Sequence, residues 1–185
     1  MELYKAVKTG LKELTQANTS CDDALFANWT QLILNGESVN YRNENDFGQG
    51  PLHCAANEGH LPAVQFLINH EAKVEAADRR EQTPLILASI TGHLKVVKYL
   101  LCHGGNINRQ DKFGCTGLLR ASLGGHLSIV QYFISQGADI NIKNYKFGRT
   151  ALYRASTMEH KSIMEYLVDE KGADINASAQ MKNVC

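Results

Sequence analysis

The side chains in this sequence that suggest metal binding or nucleophilic catalysis are its histidines and cysteines, and their spacing argues against both. His53 and Cys54 are adjacent, but neighbouring residues of a helix point about 100° apart. No further residues stand at the spacing of a zinc site or a Cys–His dyad. The sequence has no glycine-rich phosphate loop, no H-E-x-x-H and no C-x-x-C, and no carboxylate pair is placed for acid–base catalysis. We therefore predict no catalytic residue, no metal site and no cofactor.

The net charge, the hydropathy and the cysteines indicate which classes of protein are excluded. The chain has 185 residues, with 19 Lys and Arg against 19 Asp and Glu, so it is not a polycation that coats nucleic acid or an anionic membrane. No stretch approaches the roughly 18 apolar residues of a membrane helix, and the first residues do not resemble a secretory signal. The five cysteines are odd in number and irregularly spaced, which favours a reduced compartment. We expect a cytoplasmic or nuclear protein without membrane insertion.

Most of the histidines belong to a repeated pattern. The dipeptide Gly-His begins at Gly59, Gly92 and Gly125, at intervals of 33 residues, and Glu159-His160 follows 34 residues later. We interpret these histidines as hydrogen-bonding residues of a turn rather than as ligands. The surrounding residues match in four segments: GPLHCAANEGHLPAVQFLI (50–68), TPLILASITGHLKVVKYLL (83–101), TGLLRASLGGHLSIVQYFI (116–134) and TALYRASTMEHKSIMEYLV (150–168). A period of this length is typical of proteins built from stacked units.

Each segment predicts two short helices, with a hairpin turn after the second. Thr83 can cap the first helix, and Pro84 suits its first position. Gly92 stands where a left-handed residue usually ends a helix. The second helix has apolar residues at i, i+1, i+4 and i+5 from Val96, which predicts one buried side. A two-helix unit cannot bury both apolar faces alone, so neighbouring units must stack.

These segments resemble the ankyrin repeat, most clearly in TPL at 83–85, GHLKVVKYLL at 92–101 and GGNIN at 104–108. The resemblance covers about residues 42–176. It implies an all-α solenoid, in which helix–turn–helix units with β-hairpin loops stack into a curved array. It also implies an interaction module, an adaptor, scaffold or regulatory binder, without catalytic activity of its own.

The repeat frame predicts the domain boundaries. Four ankyrin repeats are expected at about 42–77, 78–110, 111–143 and 144–176, followed by a short tail at 177–185. Residues 1–41 diverge and predict an N-terminal capping unit with an insertion between its two helices, because terminal repeats are usually atypical. The alternative is two degenerate repeats. After the fourth repeat, either the last unit is its own cap or the natural array continues. We predict a monomer unless this end is open.

The resemblance also implies where a partner binds, namely the concave face formed by the hairpin tips and the exposed side of the first helices. All seven arginines map to hairpins or first helices, and Arg and aromatic side chains are enriched at binding hot spots. The predicted partner-binding residues are Phe47, Arg79, Arg80, Gln82, Ile90, Thr91, Lys112, Phe113, Arg120, Leu123, Tyr145, Phe147, Arg149, Arg154 and Met158. They indicate another protein, with acidic and apolar features, as the partner.

Other interpretations stay open at this point. The arginines could instead pair with Asp78, Glu81 and Asp111 between hairpins and stiffen the stack. The chain could be a targeting or regulatory part of a larger enzyme or channel. Binding of nucleic acid or phosphoinositide by a basic strip is less favoured, because the net charge is zero and no nucleic-acid motif occurs. The resemblance further implies Asn108, three residues before Asp111, as a candidate for asparagine hydroxylation.

Overall fold

The computed structural model describes residues 1–17 and 22–170, and this part of the chain is helical. Its helices are α1 (Glu2–Ala17), α2 (Asp22–Leu34), α3 (Pro51–Asn57), α4 (Leu61–Asn69), α5 (Pro84–Thr91), α6 (Leu94–Cys102), α7 (Gly117–Gly124), α8 (Leu127–Ser135), α9 (Ala151–Thr157) and α10 (Lys161–Glu165). A π-helical turn at Tyr166–Glu170 continues α10. The described residues form no β-strand, so the predicted all-α solenoid is confirmed and its hairpins are turns. The predicted tail, 177–185, lies outside the described residues.

The first helix of a repeat begins where the sequence predicts. Thr83 Oγ1 accepts a hydrogen bond from the backbone N–H of Ile86 at 3.4 Å, and Thr116 and Thr150 cap α7 and α9 in the same way. α5 ends at Gly92, whose φ of 88° is left-handed. A Cβ at Gly92 would lie 2.6 Å from the ring of His126. This position therefore requires glycine both for the turn and for the packing of the next repeat.

The helices stack in two layers. The first helices α3, α5, α7 and α9 contact one another in order, as do the second helices α4, α6, α8 and α10. The N-terminal pair continues both layers, because α1 packs on α3 and α2 on α4. Fully buried side chains such as Leu85, Leu100 and Phe133 fill the space between the layers. The helices α1 and α2 thus cover one end of the stack, while the predicted repeat boundaries stay a prediction.

The repeating histidines connect neighbouring repeats. Their Nε2 atoms donate to a backbone carbonyl near the end of the preceding first helix, at 3.0–3.1 Å, in the pairs His93–Asn57, His126–Ile90 and His160–Leu123. The last carbonyl groups of a helix have no partner within it, so each histidine satisfies one of them. These residues are hydrogen-bonding residues, as the sequence predicts, and their bonds cross from one repeat to the next.

Each repeat begins with a hairpin tip, closed by backbone hydrogen bonds. The first tip (43–49) is closed by the antiparallel bridge between Asn43 and Gln49. The later tips are closed by bonds from the N–H of their first residue to the carbonyl of their last: Asp78 to Gln82, Asp111 to Cys115 and Asn144 to Arg149. Tip 4 (144–149) is one residue longer than tip 2 (78–82) and tip 3 (111–115), which accounts for the interval of 34 rather than 33 residues between Gly125 and Glu159.

Candidate protein-binding face

The hairpin tips expose a row of aromatic side chains. Phe47, Phe113, Tyr145 and Phe147 are 51%, 47%, 65% and 47% exposed, respectively. They come from tips 1, 3 and 4, so the row extends along the stack rather than over a single repeat. Exposed aromatic side chains that lie together mark interaction surfaces more often than isolated ones do.

Backbone hydrogen bonds hold neighbouring tips in register. The N–H of Arg79 donates to the carbonyl of Phe47 at 2.8 Å, that of Lys112 to Arg80 at 2.9 Å, and that of Tyr145 to Phe113 at 3.0 Å. Each bond joins one tip to the next, so the four tips form a continuous edge. A ligand would therefore meet a surface whose backbone is already ordered.

Cationic side chains lie over the exposed rings. The Arg80 guanidinium is 4.3 Å from the centroid of the Phe47 ring, and the Arg149 guanidinium is 4.4 Å from that of Phe147. Lys146 lies 5.0 Å from the same Phe147 ring. Contacts of this kind keep the cation at the surface and the ring in place. The edge thus presents apolar and cationic groups side by side.

Gln82 is the predicted binding residue that the structure removes from the surface. It is 5% exposed. Its backbone N–H donates to Asp78 Oδ1 at 2.9 Å, and its carbonyl accepts from the Asp78 N–H and from His53 Nε2. The residue closes the inner side of tip 2, where sequence position alone suggested an exposed tip. Gln82 is therefore a structural residue of the hairpin, and its assignment to the binding surface is corrected.

The predicted arginines differ in their partners. Arg120 contacts the Oδ2 atom of the fully buried Asp111, with its Nε at 3.0 Å and its Nη2 also in contact. This pair connects α7 to tip 3 within one repeat, not two hairpins. Arg79 pairs with Glu44 of the preceding tip, and both side chains are more than half exposed. Arg120 is thus held by the fold, whereas Arg79 remains at the surface.

The other cations of this face have no such partner. Within the described residues, Arg80, Arg149 and Arg154 form no ion pair with a carboxylate, and neither do the exposed Lys112 and Lys146. The alternative in which the arginines only stiffen the stack through acidic neighbours therefore applies to Arg120 and, across two tips, to Arg79.

The C-terminal ends of the first helices contain further predicted residues. Met158 is 54% exposed, Thr91 is exposed, and Ile90 and Leu123 are half-buried. The Thr91 hydroxyl donates to the carbonyl of Leu87 at 3.0 Å, which leaves its methyl group for contacts with other side chains. These residues add partly exposed apolar surface near the C-terminal ends of the first helices.

The N-terminal end of this face has a polar cluster that the sequence did not indicate. Asp46 of tip 1 accepts hydrogen bonds from Lys8 and Tyr4 of α1. The bond from Lys8, and then that from Tyr4, hold the pKa of Asp46 below its usual range. A cavity of about 220 Å³ opens beside the cluster, lined by Lys8, Lys12, Asp46, Gln49, Cys54, Asn57 and Glu58. The sequence predicted a helix in this N-terminal unit, but the unit lies outside the repeat period and so did not indicate where α1 docks.

Two further sequence predictions concern ligands and modification. Among the described residues, no group of His, Cys, Asp and Glu side chains is arranged to hold a metal ion. Asn108 is exposed, and its Oδ1 accepts a hydrogen bond from the N–H of Asp139 at 3.1 Å. Hydroxylation of Asn108 stays a prediction. The intact mass of protein from its native source tests it, since one added oxygen atom would support it and an unchanged mass would contradict it.

Comparison with known families agrees with this architecture. A family model described as "Ankyrin repeats (3 copies)" matches residues 24–111 and 104–179. The match begins within α2, upstream of the start at about residue 42 that the resemblance predicted. None of the curated proteins matches the chain, and among the described helices none has the length and apolar character needed to cross a membrane. Ankyrin repeats are generally protein–protein interaction modules, and proteins built from them are typically non-enzymatic. The two matches together span most of the sequence, and the chain therefore belongs to the ankyrin-repeat family.

Proposed function

We propose that this protein binds another protein on its concave face, through the hairpin tips and the adjoining side of α5, α7 and α9. The observation that carries the proposal is the row of exposed aromatic rings at the tips, of which Phe47 and Phe147 have guanidinium groups over them that pair with no described carboxylate. Aromatic and arginine side chains are the residues on which binding energy usually concentrates. The role is that of an adaptor, scaffold or regulatory binder, and we place it in the cytoplasm or the nucleus.

The charges of this face favour an acidic partner. Arg80, Lys112, Lys146 and Arg149 contribute positive charge at tips 2–4, where Glu81 is the exposed acidic residue. Complementary charge speeds association and disfavours basic partners. Because the rings and Met158 are apolar, the segment that fits this surface combines Asp or Glu with apolar side chains. The same face would serve whether the chain acts alone or as a regulatory part of a larger enzyme or channel.

The ordered backbone of the tips supports the proposal that this face binds a protein, over the alternative that its residues only stabilise the stack of repeats. The tips are joined by backbone hydrogen bonds, and Asp78 and Asp111 fix the turns of tips 2 and 3 by accepting two backbone N–H groups each, at 2.8–2.9 Å. A surface that is ordered before binding loses less conformational entropy when a partner docks. Less of the free energy of the side-chain contacts made there is therefore offset by ordering of the backbone.

Capture of partners from native cell lysate tests the proposal. The test variant is Phe113→Ala/Phe147→Ala/Arg149→Ala, which removes surface groups of tips 3 and 4. The control variant is Lys95→Ala/Gln131→Ala/Lys161→Ala, which changes exposed residues of the second helices. Arg120 is not used, because its loss would leave Asp111 buried without its cation. Circular dichroism verifies that both variants fold.

A protein that the wild type and the control variant capture, and the test variant does not, would support the concave face as the binding surface. Equal capture by both variants would contradict it. The affinity of the captured protein is then measured at several salt concentrations. The affinities for added RNA and for phosphoinositide vesicles are measured in the same way. If either ligand binds more tightly than the captured protein does, and its affinity decreases steeply with salt, the alternative of a nucleic-acid or lipid-binding strip would be favoured.

A further inference from the structure

Arg120 and Arg154 occupy equivalent positions in consecutive repeats. Each lies four residues after the threonine that caps its helix, and each backbone N–H donates to the carbonyl of that threonine, Thr116 or Thr150, at 3.0 Å. Both guanidinium groups are half-buried, and both lie on the side of the first helices that faces the tips. The two side chains therefore begin from the same place in the fold.

Their acidic partners differ. In repeat 3, the edge of the Arg120 guanidinium formed by Nε and Nη2 is bound to Asp111 Oδ2. In repeat 4, the first residue of the tip is Asn144. Its N–H bonds the carbonyl of Arg149, as the N–H of Asp111 bonds that of Cys115. Asn144 Oδ1 also closes the turn by accepting from the N–H of Arg149 at 2.7 Å. Asn144 thus closes tip 4 as Asp111 closes tip 3, but it has no negative charge.

Arg154 is left without a carboxylate. Its Nη2 lies 3.5 Å from Cys115 Sγ, which is a weak acceptor. Its Nε is buried and has no hydrogen-bond partner. Burial raises the pKa of the Cys115 thiol, so this sulfur supplies no negative charge to the guanidinium. A buried N–H of a charged group without an acceptor is costly, and no described carboxylate balances the charge of this guanidinium.

We propose that the half-buried Arg154 binds, through the exposed part of its guanidinium, an aspartate or glutamate side chain of the protein partner, which supplies the negative charge that Asp111 supplies to Arg120 in repeat 3. This inference rests on the proposed function and assigns one of its contacts. The two Nη groups at the end of a planar guanidinium match a carboxylate in a two-point geometry that does not need the buried Nε. The exposed Met158 caps the C-terminal end of the same helix, four residues further along the chain. The bound segment therefore carries an acidic residue next to an apolar one.

A titration with sodium acetate tests this site without the partner. The Nε–Hε resonances of Arg154 and Arg120 are followed by NMR, with sodium chloride at equal ionic strength as reference. We expect the Arg154 resonance to shift with acetate and to reach saturation, and the Arg120 resonance to stay in place because Asp111 already occupies its guanidinium. An Arg154 resonance that does not move, or that moves no more than that of Arg120, would overturn the proposal.

The substitution Asn144→Asp provides the matched control. It supplies the carboxylate that repeat 3 has, and it keeps the turn, because Asp78 and Asp111 close their tips through the same bonds. In this variant the response of Arg154 to acetate should disappear, and a response equal to that of the wild type would contradict the proposal. A titration with inorganic phosphate separates the two sources of anion. If the Arg154 resonance shifts with phosphate but not with acetate, Arg154 binds a phosphorylated ligand, and the proposal that it binds a carboxylate is overturned.

The same variants distinguish this inference from the proposed function. Both Asn144→Asp and Arg154→Gln should lower the affinity for the captured partner about tenfold or more, because each substitution removes one charge-assisted contact. If the Phe113/Phe147/Arg149 variant still binds the partner while acetate saturates Arg154 and Arg154→Gln loses the partner, binding through the tips is wrong and the carboxylate site on α9 stands. If that variant loses the partner while Asn144→Asp and Arg154→Gln bind it as the wild type does, the face stands and this contact is wrong.

Discussion

His126 Nε2 lies 3.0 Å from the carbonyl oxygen of Ile90 and connects α8 to the end of α5 in the preceding repeat. A carbonyl oxygen can only accept, so Nε2 carries the proton. His93 and His160 make the same bond at the junctions on either side. In a stack of repeats, stability depends on such contacts between nearest neighbours. The Gly-His dipeptide therefore marks the junction between two units.

Replacement of His126 by alanine should weaken one junction. The change removes the donor to Ile90 and leaves a partly buried carbonyl without its bond, so we expect the free energy of unfolding to decrease by about 1–3 kcal/mol. Urea denaturation measures it. The control is His103→Ala, since His103 is exposed and bonds Tyr99 within its own helix. If both variants lost the same free energy of unfolding, the bond between repeats would stabilise the protein no more than a histidine bond within one helix does.

Glu71 has a left-handed backbone, with φ of 67°, at the position where the following repeats have Gly104 and Gly137. An L-residue pays roughly 1 kcal/mol in this conformation, which glycine adopts without strain. We expect Glu71→Gly to raise the free energy of unfolding by up to about 1 kcal/mol. Glu58→Gly is the matched control, because Glu58 is exposed with φ of −80° and should lose stability. A loss in both variants would contradict the strain argument.

Breaking the Arg120–Asp111 pair should be strongly destabilising. Asp111 is fully buried, and Arg120→Met leaves its carboxylate without a cation, at an expected cost of about 3 kcal/mol. Arg79→Met is the control, because Arg79 and Glu44 are both more than half exposed and such pairs contribute below about 1 kcal/mol. Thermal and urea denaturation compare the two. Similar small losses would mean that Arg120 is available for binding after all.

His53 should make stability depend on pH. It is 1% exposed, its Nδ1 accepts from the N–H of Gly50 at 3.1 Å, and its Nε2 donates to the carbonyl of Gln82 at 3.2 Å. Burial lowers its pKa below the usual value, so the unfolded chain binds the proton more readily. This contribution is therefore complete above about pH 6.5 and is lost as pH falls toward the lower pKa of the folded state.

Urea denaturation between about pH 7 and pH 5 tests the contribution of His53. We expect the wild type to lose stability in this range, and His53→Gln to be less stable at pH 7 but to change less with pH. If the slopes of the two proteins were the same, another group would be responsible for the pH dependence.

Local features of each repeat were predictable because they recur with the period. The caps Thr83 and Thr116 and the left-handed Gly92 depend on a few neighbouring residues, so the sequence indicates them directly. The partners of Arg120 and Arg154 were not predictable in this way. Their difference comes from a single residue at the start of the tip, Asp111 or Asn144, whose side chain must be placed in space before the pairing is visible.

Two further features were missed because they depend on contacts between residues that are distant in the sequence. Gln82 lies among tip residues in the sequence, yet its backbone bonds to Asp78 and His53 turn it inward. The contact of Lys8 and Tyr4 with Asp46 joins α1 to tip 1 over about 40 residues. α1 follows no repeat period, so nothing in its sequence specifies that contact. Docking of this kind depends on the packing of whole helices.

Site-specific photo-crosslinking measures most directly which face binds a protein partner. A photoreactive phenylalanine analogue is placed at Phe113, in the tips, and separately at Gln131, which is exposed on α8. We expect a protein to be crosslinked from Phe113 and not from Gln131, through a segment that contains acidic and apolar residues. Crosslinking from Gln131 alone, from neither position, or to a basic segment would contradict binding of an acidic partner on the concave face.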